Sequence, residues 1–542
     1  MTNKIIARPL LGLAIAGIIA SCGSGGAIVS PPIENIDTMP LKTQPLTEVQ
    51  KKNWKDYDLK TDTIPGMSVD KAYEELIKDK KGKPVVVAVI DSGIDVNHED
   101  LDGVIWVNED EIPNNGKDDD KNGYIDDVHG WNFLGNIVED NLEFERILRD
   151  KDKLPADMVA KAQKEYDKKI AEAGEAKAGM EGQLQIVGQT RTTLEKLTGK
   201  KDFTLEDVKA IDAKDEASNR AKQIGLQVMN NYESFDNIKK LMTDELNNQI
   251  AYLNGDKLKT DFRRDNLGGD DPYKWDTGVY GDNNYGGPNP AASGDAFHGT
   301  HVAGIIAAER DNGLGVNGVA NNAKIMVLRA VSAGDEYDKD IAKAIRYAVN
   351  NGAKVINGSF GKYHSTNPEW VWDALKYAAD NDVLFINAAG NEGIDTDFTQ
   401  VYPQDQELAG PEVSDTFLTV GALNFEYGAD LLANFSNYGK SSVDVFAPGV
   451  AVYSTAPDNK YRNAGGTSMA APAVAGVAVM IRSYYPKLTA AQVKQVIMDS
   501  GISTNAVVNL GGKSEDAKPF KEVTTSGKMA NLYNALILAS KM

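Results

Sequence analysis

Cys22 is the only cysteine in the chain, so no intramolecular disulfide can form, and stability has to come from the core and from bound ions. Cationic side chains are also in deficit. Against 79 aspartates and glutamates stand 58 lysines and arginines, a net charge of −21. Binding to a phosphate backbone draws its affinity from lysine and arginine displacing counterions, so nucleic acid is not an expected partner. The acidity suits an extracytoplasmic space and supplies carboxylates for metal sites. With five histidines and no His-Glu-x-x-His, zinc catalysis is poorly supported, and no organic cofactor is expected. The apolar stretch near the N-terminus, Leu10 to Ile19, is shorter than the roughly 20 residues a bilayer core requires, which excludes it as a spanning helix.

That stretch follows Lys4 and Arg8 and ends in Ile19-Ala20-Ser21-Cys22, the pattern of a secretory signal. It resembles a bacterial lipoprotein signal, in which the cysteine becomes the lipidated first residue. The expectation is a signal over residues 1–21, lipidation at Cys22, and a body in water anchored to a membrane of the cell envelope. Residues 22–46 carry Gly, Ser and Pro with no sustained period and read as a tether.

Three motifs carry chemistry. Gly466-Thr467-Ser468-Met469-Ala470-Ala471-Pro472 places a serine hydroxyl where an apolar helix begins. His298 lies in His298-Gly299-Thr300-His301, and Asp91 follows the run Val85 to Ile90. Each alone is ordinary: Asp-Ser-Gly is a common turn and Gly-Thr-Ser a common helix start. Together they give a nucleophile, a base and an orienting carboxylate in the order Asp, His, Ser. At all three motifs the chain resembles the subtilisin-like serine proteases.

Short apolar runs alternate with helical stretches from Asp91 onward, which argues for an α/β fold: a doubly wound, mostly parallel sheet with helices on both faces. Strands are expected at 85–90, 325–330, 383–387, 417–422 and 443–446, helices at 302–309, 341–350 and 370–379. Asp91, Ser359 and Asn391 all fall just after strands, at the edge where such sheets bind ligands. One dominant domain is expected over residues 47–542. About 200 residues separate Asp91 from His298, too many for one connection. The Lys/Glu/Ala-rich segment 141–264 is therefore read as a helical insertion, with helical runs at 158–173, 205–214 and 235–253, and as a solvated outgrowth rather than a lid.

The resemblance implies cleavage of peptide bonds in protein or peptide substrates through an acyl-enzyme on Ser468, with His298 as base and Asp91 fixing its tautomer. It assigns the oxyanion donor to Asn391 in Gly390-Asn391-Glu392-Gly393, in preference to Asn357, and gives His301 a packing role. Ser359, Phe360 and Gly361 would pair with an extended substrate, and Ala388, Ala389 and Gly390 would wall the pocket before the scissile bond, with room for a large apolar side chain. Many family members carry a folded propeptide, for which the segment from Cys22 to Asp91 leaves no room.

Asp118-Asp119-Asp120-Lys121-Asn122-Gly123-Tyr124-Ile125-Asp126-Asp127 puts oxygen ligands at alternate positions before a glycine, as calcium loops do, though His129 stands where an EF-hand has its closing glutamate. The expected ligands of a structural calcium are Asp118, Asp120, Asn122 and Asp126, with Asp127 as a substitute. Two other readings are a binding lipoprotein on a degenerate protease fold and an esterase. The intact set Asp91, His298, Asn391 and Ser468 argues against the first; comparing protein and ester substrates would separate the second.

Overall fold

A computed structural model describes residues 27–39, 44–288, 295–407 and 410–542, so the expected signal and Cys22 lie outside the described residues. The run Val85-Val86-Val87-Ala88-Val89-Ile90 is apolar almost throughout because its strand is covered on both faces: Val85, Val87 and Val89 enter one core, Ala88 and Ile90 the other. The strands in chain order are β1 (Val85–Asp91), β2 (Gly130–Asn132), β3 (Ala323–Arg329), β4 (Val355–Gly358), β5 (Leu384–Ala388), β6 (Phe417–Leu423), β7 (Val445–Pro448), β8 (Val452–Ala456), β9 (Lys460–Ala464), β10 (Ile502–Ser503), β11 (Val507–Leu510), β12 (Lys513–Pro519) and β13 (Lys528–Met529). Nine form one sheet in the order β10-β13-β7-β6-β5-β4-β1-β3-β2, parallel except where β10 meets β13; β8–β9 and β11–β12 are separate hairpins. Residues 417–422 prove to be a strand one residue longer, and the strand expected at 443–446 starts two residues later.

The helices that matter for function are α1 (Glu143–Arg149), α2 (Ala156–Thr198), α3 (Glu216–Tyr232), α4 (Phe235–Leu253), α5 (Phe297–Ala307), α6 (Asp338–Asn350), α7 (Pro368–Asp380) and α8 (Thr467–Tyr484). The first core takes in α5 and α8, the second α6 and α7, so the sheet is covered on both faces as the alternation predicts. Pro472 lies inside α8 and has no N–H to give the carbonyl of Ser468 one turn back. The Ser359 hydroxyl donates to that carbonyl instead, at 2.9 Å. A helix irregularity thus ties the start of α8 to the end of β4.

Part of the stretch 22–46 is packed on the body rather than extended into solvent. Ile33 and Ile36 are buried, the Ile33 N–H donates to Asn534 Oδ1 at 2.7 Å, and Asp37 accepts from Tyr427 and Thr504. Two isoleucines in a Pro-rich stretch found an apolar surface, which composition alone did not show.

The insertion is rooted in buried charge. Arg146 of α1, 1% exposed, donates to Glu143 and to the carbonyls of Asn141, Asp335 and Glu336, and Lys362 lies 3.0 Å from Asp338 and 3.6 Å from Glu143. At the far end of the insertion Arg263 bonds both oxygens of Asp340, at 2.8 and 2.9 Å. Beyond this root, α2 runs 43 residues, about 65 Å at 1.5 Å per residue, with α3 and α4 packed along it. Removing one partner of a buried ion pair costs about 3–5 kcal/mol. Deleting 141–264, which strips Arg146 and Arg263 from their partners, is therefore expected to prevent folding. Deleting only 174–244 and joining α2 to α4 with a short linker should leave a cooperative thermal transition; a melting experiment on both variants distinguishes the two.

Candidate active site

Three elements bring the chemistry to the carboxyl edge of the sheet. Asp91 ends β1, His298 sits in the first turn of α5, and Ser468 in the first turn of α8. His298 Nδ1 lies 2.8 Å from Asp91 Oδ1, which also accepts the Ser92 N–H at 2.7 Å. The carboxylate is 2% exposed. Burial pulls the imidazole pKa down, but the Asp91 charge and hydrogen bond outweigh it and hold His298 above its ordinary value. The Ser468 hydroxyl donates to the Ser359 carbonyl at 3.2 Å and makes no hydrogen bond to His298. Catalytic hydrogen bonds are often unformed before substrate binds.

Asn391 is exposed, and its Oδ1 accepts from the Thr467 N–H at 2.8 Å and the Thr467 hydroxyl at 3.1 Å. This orients the amide so that Nδ2, with no partner among the described residues, faces the start of α8. A Cβ placed on Gly466 would lie 3.6 Å from Asn391 Nδ2 and 3.6 Å from the Ser468 N. Two donors therefore lie about one point at a helix N-terminus, a place that favours negative charge. Asn357, the rival donor, is fully buried and donates to Ser359 Oγ at 3.0 Å, away from that point. His301 is also fully buried, with Nε2 3.0 Å from the Arg462 carbonyl; burial pushes its pKa down to about 4.

A cavity of about 200 Å³ opens beside Ser468, lined by Phe360, Gly361, Tyr363, Ala388, Gly390, Asn391, Glu392, Val401 and Thr467. Of the expected wall residues, Ala389 is turned away: its N–H pairs with the Val420 carbonyl and its own carbonyl accepts from Asn437 Nδ2. Gly390 has φ +102°, and a Cβ there would lie 2.3 Å from Asn437 Nδ2, so the loop tolerates no side chain at that point. The cavity is lined by polar as well as apolar side chains. Tyr363 donates to the Glu392 carboxylate, which also accepts the Asn391 N–H at 2.9 Å. Phe360 and Gly361 make no backbone hydrogen bond among the described residues, leaving an edge open to a guest strand.

The acidic loop gathers a different set from the one expected. Carboxylate oxygens of Glu111, Asp120 and Asp127 lie within 4.8 Å of one another. Asp118 instead accepts from the N–H groups of Asn122 and Gly123, and Asp126 from those of Asn115 and Gly116, both holding the loop's own backbone. Asn122 turns its amide onto Asp120 and Asp127. Glu111 was missed because it precedes the acidic run, in the turn that starts at Asn108. It is 5% exposed, and its Oε2 has no hydrogen-bond partner among the described residues. Burial pushes the carboxyls of both Glu111 and Asp127 up. An orphaned buried oxygen facing two further carboxylates fits a hard cation such as calcium.

The model of the subtilase family matches residues 82–522. The chain belongs to the subtilase family. It is 44% identical over 188 residues to the thermophilic serine proteinase of Bacillus sp. (strain AK1), spanning 34% of this chain and 42% of that one. Subtilisin DY of Bacillus licheniformis is 38% identical over 213 residues, 38% of this chain and 70% of the relative. A solved protease of Pseudoalteromonas arctica is 29% identical, with a TM-score of 0.37 over 45% of this chain and 70% of that one. No helix among the described residues is long and apolar enough to cross a membrane.

Proposed function

We propose that this subtilase is a serine endopeptidase. The observation that carries the reading is the convergence at one sheet edge of the Asp91–His298 pair, the Ser468 hydroxyl, and two unpaired donors around Gly466. His298 takes the Ser468 proton as Oγ attacks the peptide carbonyl; Asn391 Nδ2 and the Ser468 N–H hold the oxyanion. The imidazolium then protonates the leaving amine, and water hydrolyses the acyl-enzyme by the same route. Asp91 holds the tautomer in which Nε2 is free to act. A fluorophosphonate probe on the purified soluble body is expected to label Ser468 alone, with casein cleaved and both signals absent in Ser468→Ala. A folded protein that neither labels nor cleaves would sink the reading in favour of a scaffold.

Calcium held by Glu111, Asp120 and Asp127 would offset two of the three gathered negative charges and cross-link the 108–111 turn to the 118–127 loop. A cation that binds only the folded state stabilises by about 2.7 kcal/mol at 100 times its dissociation constant. Chelation is therefore expected to lower Tm in the wild type and to leave Glu111→Gln nearly unmoved. Equal melting of the wild type with and without chelator would rule the site out. Lipidation of Cys22, and with it attachment to a membrane outside the cytoplasm, rests on the signal pattern in the sequence.

A further inference from the structure

Asn391 is exposed, so packing does not hold it, yet an oxyanion donor has to stand about 2.7–3.1 Å from the developing charge. Hydrogen bonds must place it. Thr467 fixes the tip of its side chain, and the backbone beneath it is laid against the segment 435–438. There the Gly393 N–H donates to the Phe435 carbonyl at 2.7 Å, the Tyr438 N–H to the Ile394 carbonyl at 3.0 Å, and the Asn437 N–H to the Gly390 carbonyl at 3.0 Å.

The side chain of Asn437 adds a second grip on the same loop. It is fully buried. Its Oδ1 accepts the N–H groups of Glu392 and Ile394, each at 3.1 Å, and its Nδ2 donates to the Ala389 carbonyl at 2.9 Å. The Tyr363 hydroxyl and the Glu392 carboxylate, at 3.1 and 3.3 Å, share the other hydrogen of Nδ2. Glu392 in turn accepts the N–H of Asn391 itself. One residue therefore holds positions 389 and 390 ahead of the donor and 392 and 394 behind it. An amide offers an oxygen with two lone pairs and an N–H donor together, whereas a carboxylate offers only oxygens.

We propose that Asn437 is a positioning residue for the reaction: buried away from substrate, it sets where Asn391 Nδ2 stands by bracing the backbone on both sides of it. The proposal rests on the endopeptidase reading and deepens it. A displacement of about 1 Å in a group that stabilises the transition state can cost about 100-fold in rate.

The test is a double-mutant cycle on the full chain with one internally quenched peptide. Rates are expressed per Ser468 labelled by the fluorophosphonate at its end point, so unfolded chain is not counted. Asn437→Asp keeps the acceptor for Glu392 and Ile394 but turns an oxygen toward the Ala389 carbonyl; Asn437→Ala removes both functions. Each is expected to lower kcat about 10- to 100-fold while KM stays within about threefold. Asn391→Ala, which removes the donor, should lose about 100- to 1,000-fold, and adding either Asn437 substitution to it should cost less than about threefold more. A purely structural role would lower kcat by the same factor in both backgrounds, and that result overturns the proposal. Wild-type kcat in both Asn437 variants overturns it as well, and so does failure of both to yield labelled protein, which would make Asn437 a folding residue. Absence of Ser468 labelling in the wild type overturns the endopeptidase reading beneath it.

Discussion

Ser468→Ala is expected to lower kcat on a peptide substrate by about a million-fold, leaving the roughly 10³- to 10⁴-fold advantage over water that oxyanion donors and binding can supply alone. The size of the loss follows from what alanine leaves intact. Asn391 Nδ2 and the residue-468 N–H still face the space beside Gly466, since both are placed by backbone and by Thr467 rather than by the serine hydroxyl. His298→Ala should cost about as much, and the double variant hardly more, because nucleophile and base act as one unit. Single-turnover rates on the three variants check this. Losses that multiply across the two sites would mean that Ser468 and His298 work independently, and the triad would have to be abandoned.

For Asp91→Asn the expected loss in kcat is about 10⁴-fold, with a displaced pH profile. Asp91 Oδ1 accepts from both the Ser92 N–H and His298 Nδ1, so an asparagine with its oxygen at that point loses the charge alone, and one turned the other way presents both donors with an NH₂. That group favours the tautomer with the proton on Nε2, which cannot take the serine proton. The sign of the pH effect follows from the causes acting on the imidazole. In the wild type Asp91 holds the ring above 6.5 against burial, so kcat/KM rises with pH along an acid limb above that value. Asparagine removes the carboxylate and leaves the burial, and the limb should move below 6.5. A pH–rate profile of both proteins decides it; an unmoved limb would show that another group controls the titration.

The parts of the site carried by short motifs at strand and helix ends were legible in the sequence, because a strand such as 85–91 announces both its buried faces and its end. Asn391 and Ser359 were readable for the same reason. Glu111 was not, since it joins Asp120 and Asp127 only through the folding of a turn that has no periodic pattern. The long helix α2 was foreseen only to Ala173. Gly174, Gly179, Gly182 and Gly188 weaken its local preference beyond that point, and packing of α3 and α4 against it sustains the helix. Helix α3 escaped because three of its four buried positions, Ser218, Ala221 and Gly225, are small and give little apolar signal, and strand β2 because it is only three residues long.

The strap of residues 27–39 along the body limits how the enzyme could work if Cys22 is lipidated. Four residues would then separate Cys22 from the strap, and the five steps from Cys22 to Ala27 span at most about 18 Å when fully extended. The catalytic body could not sweep through the surrounding space on a long leash. It would graze, cutting those polypeptides that come within a shallow layer above the bilayer, so that access to its cleft is set by what approaches the surface.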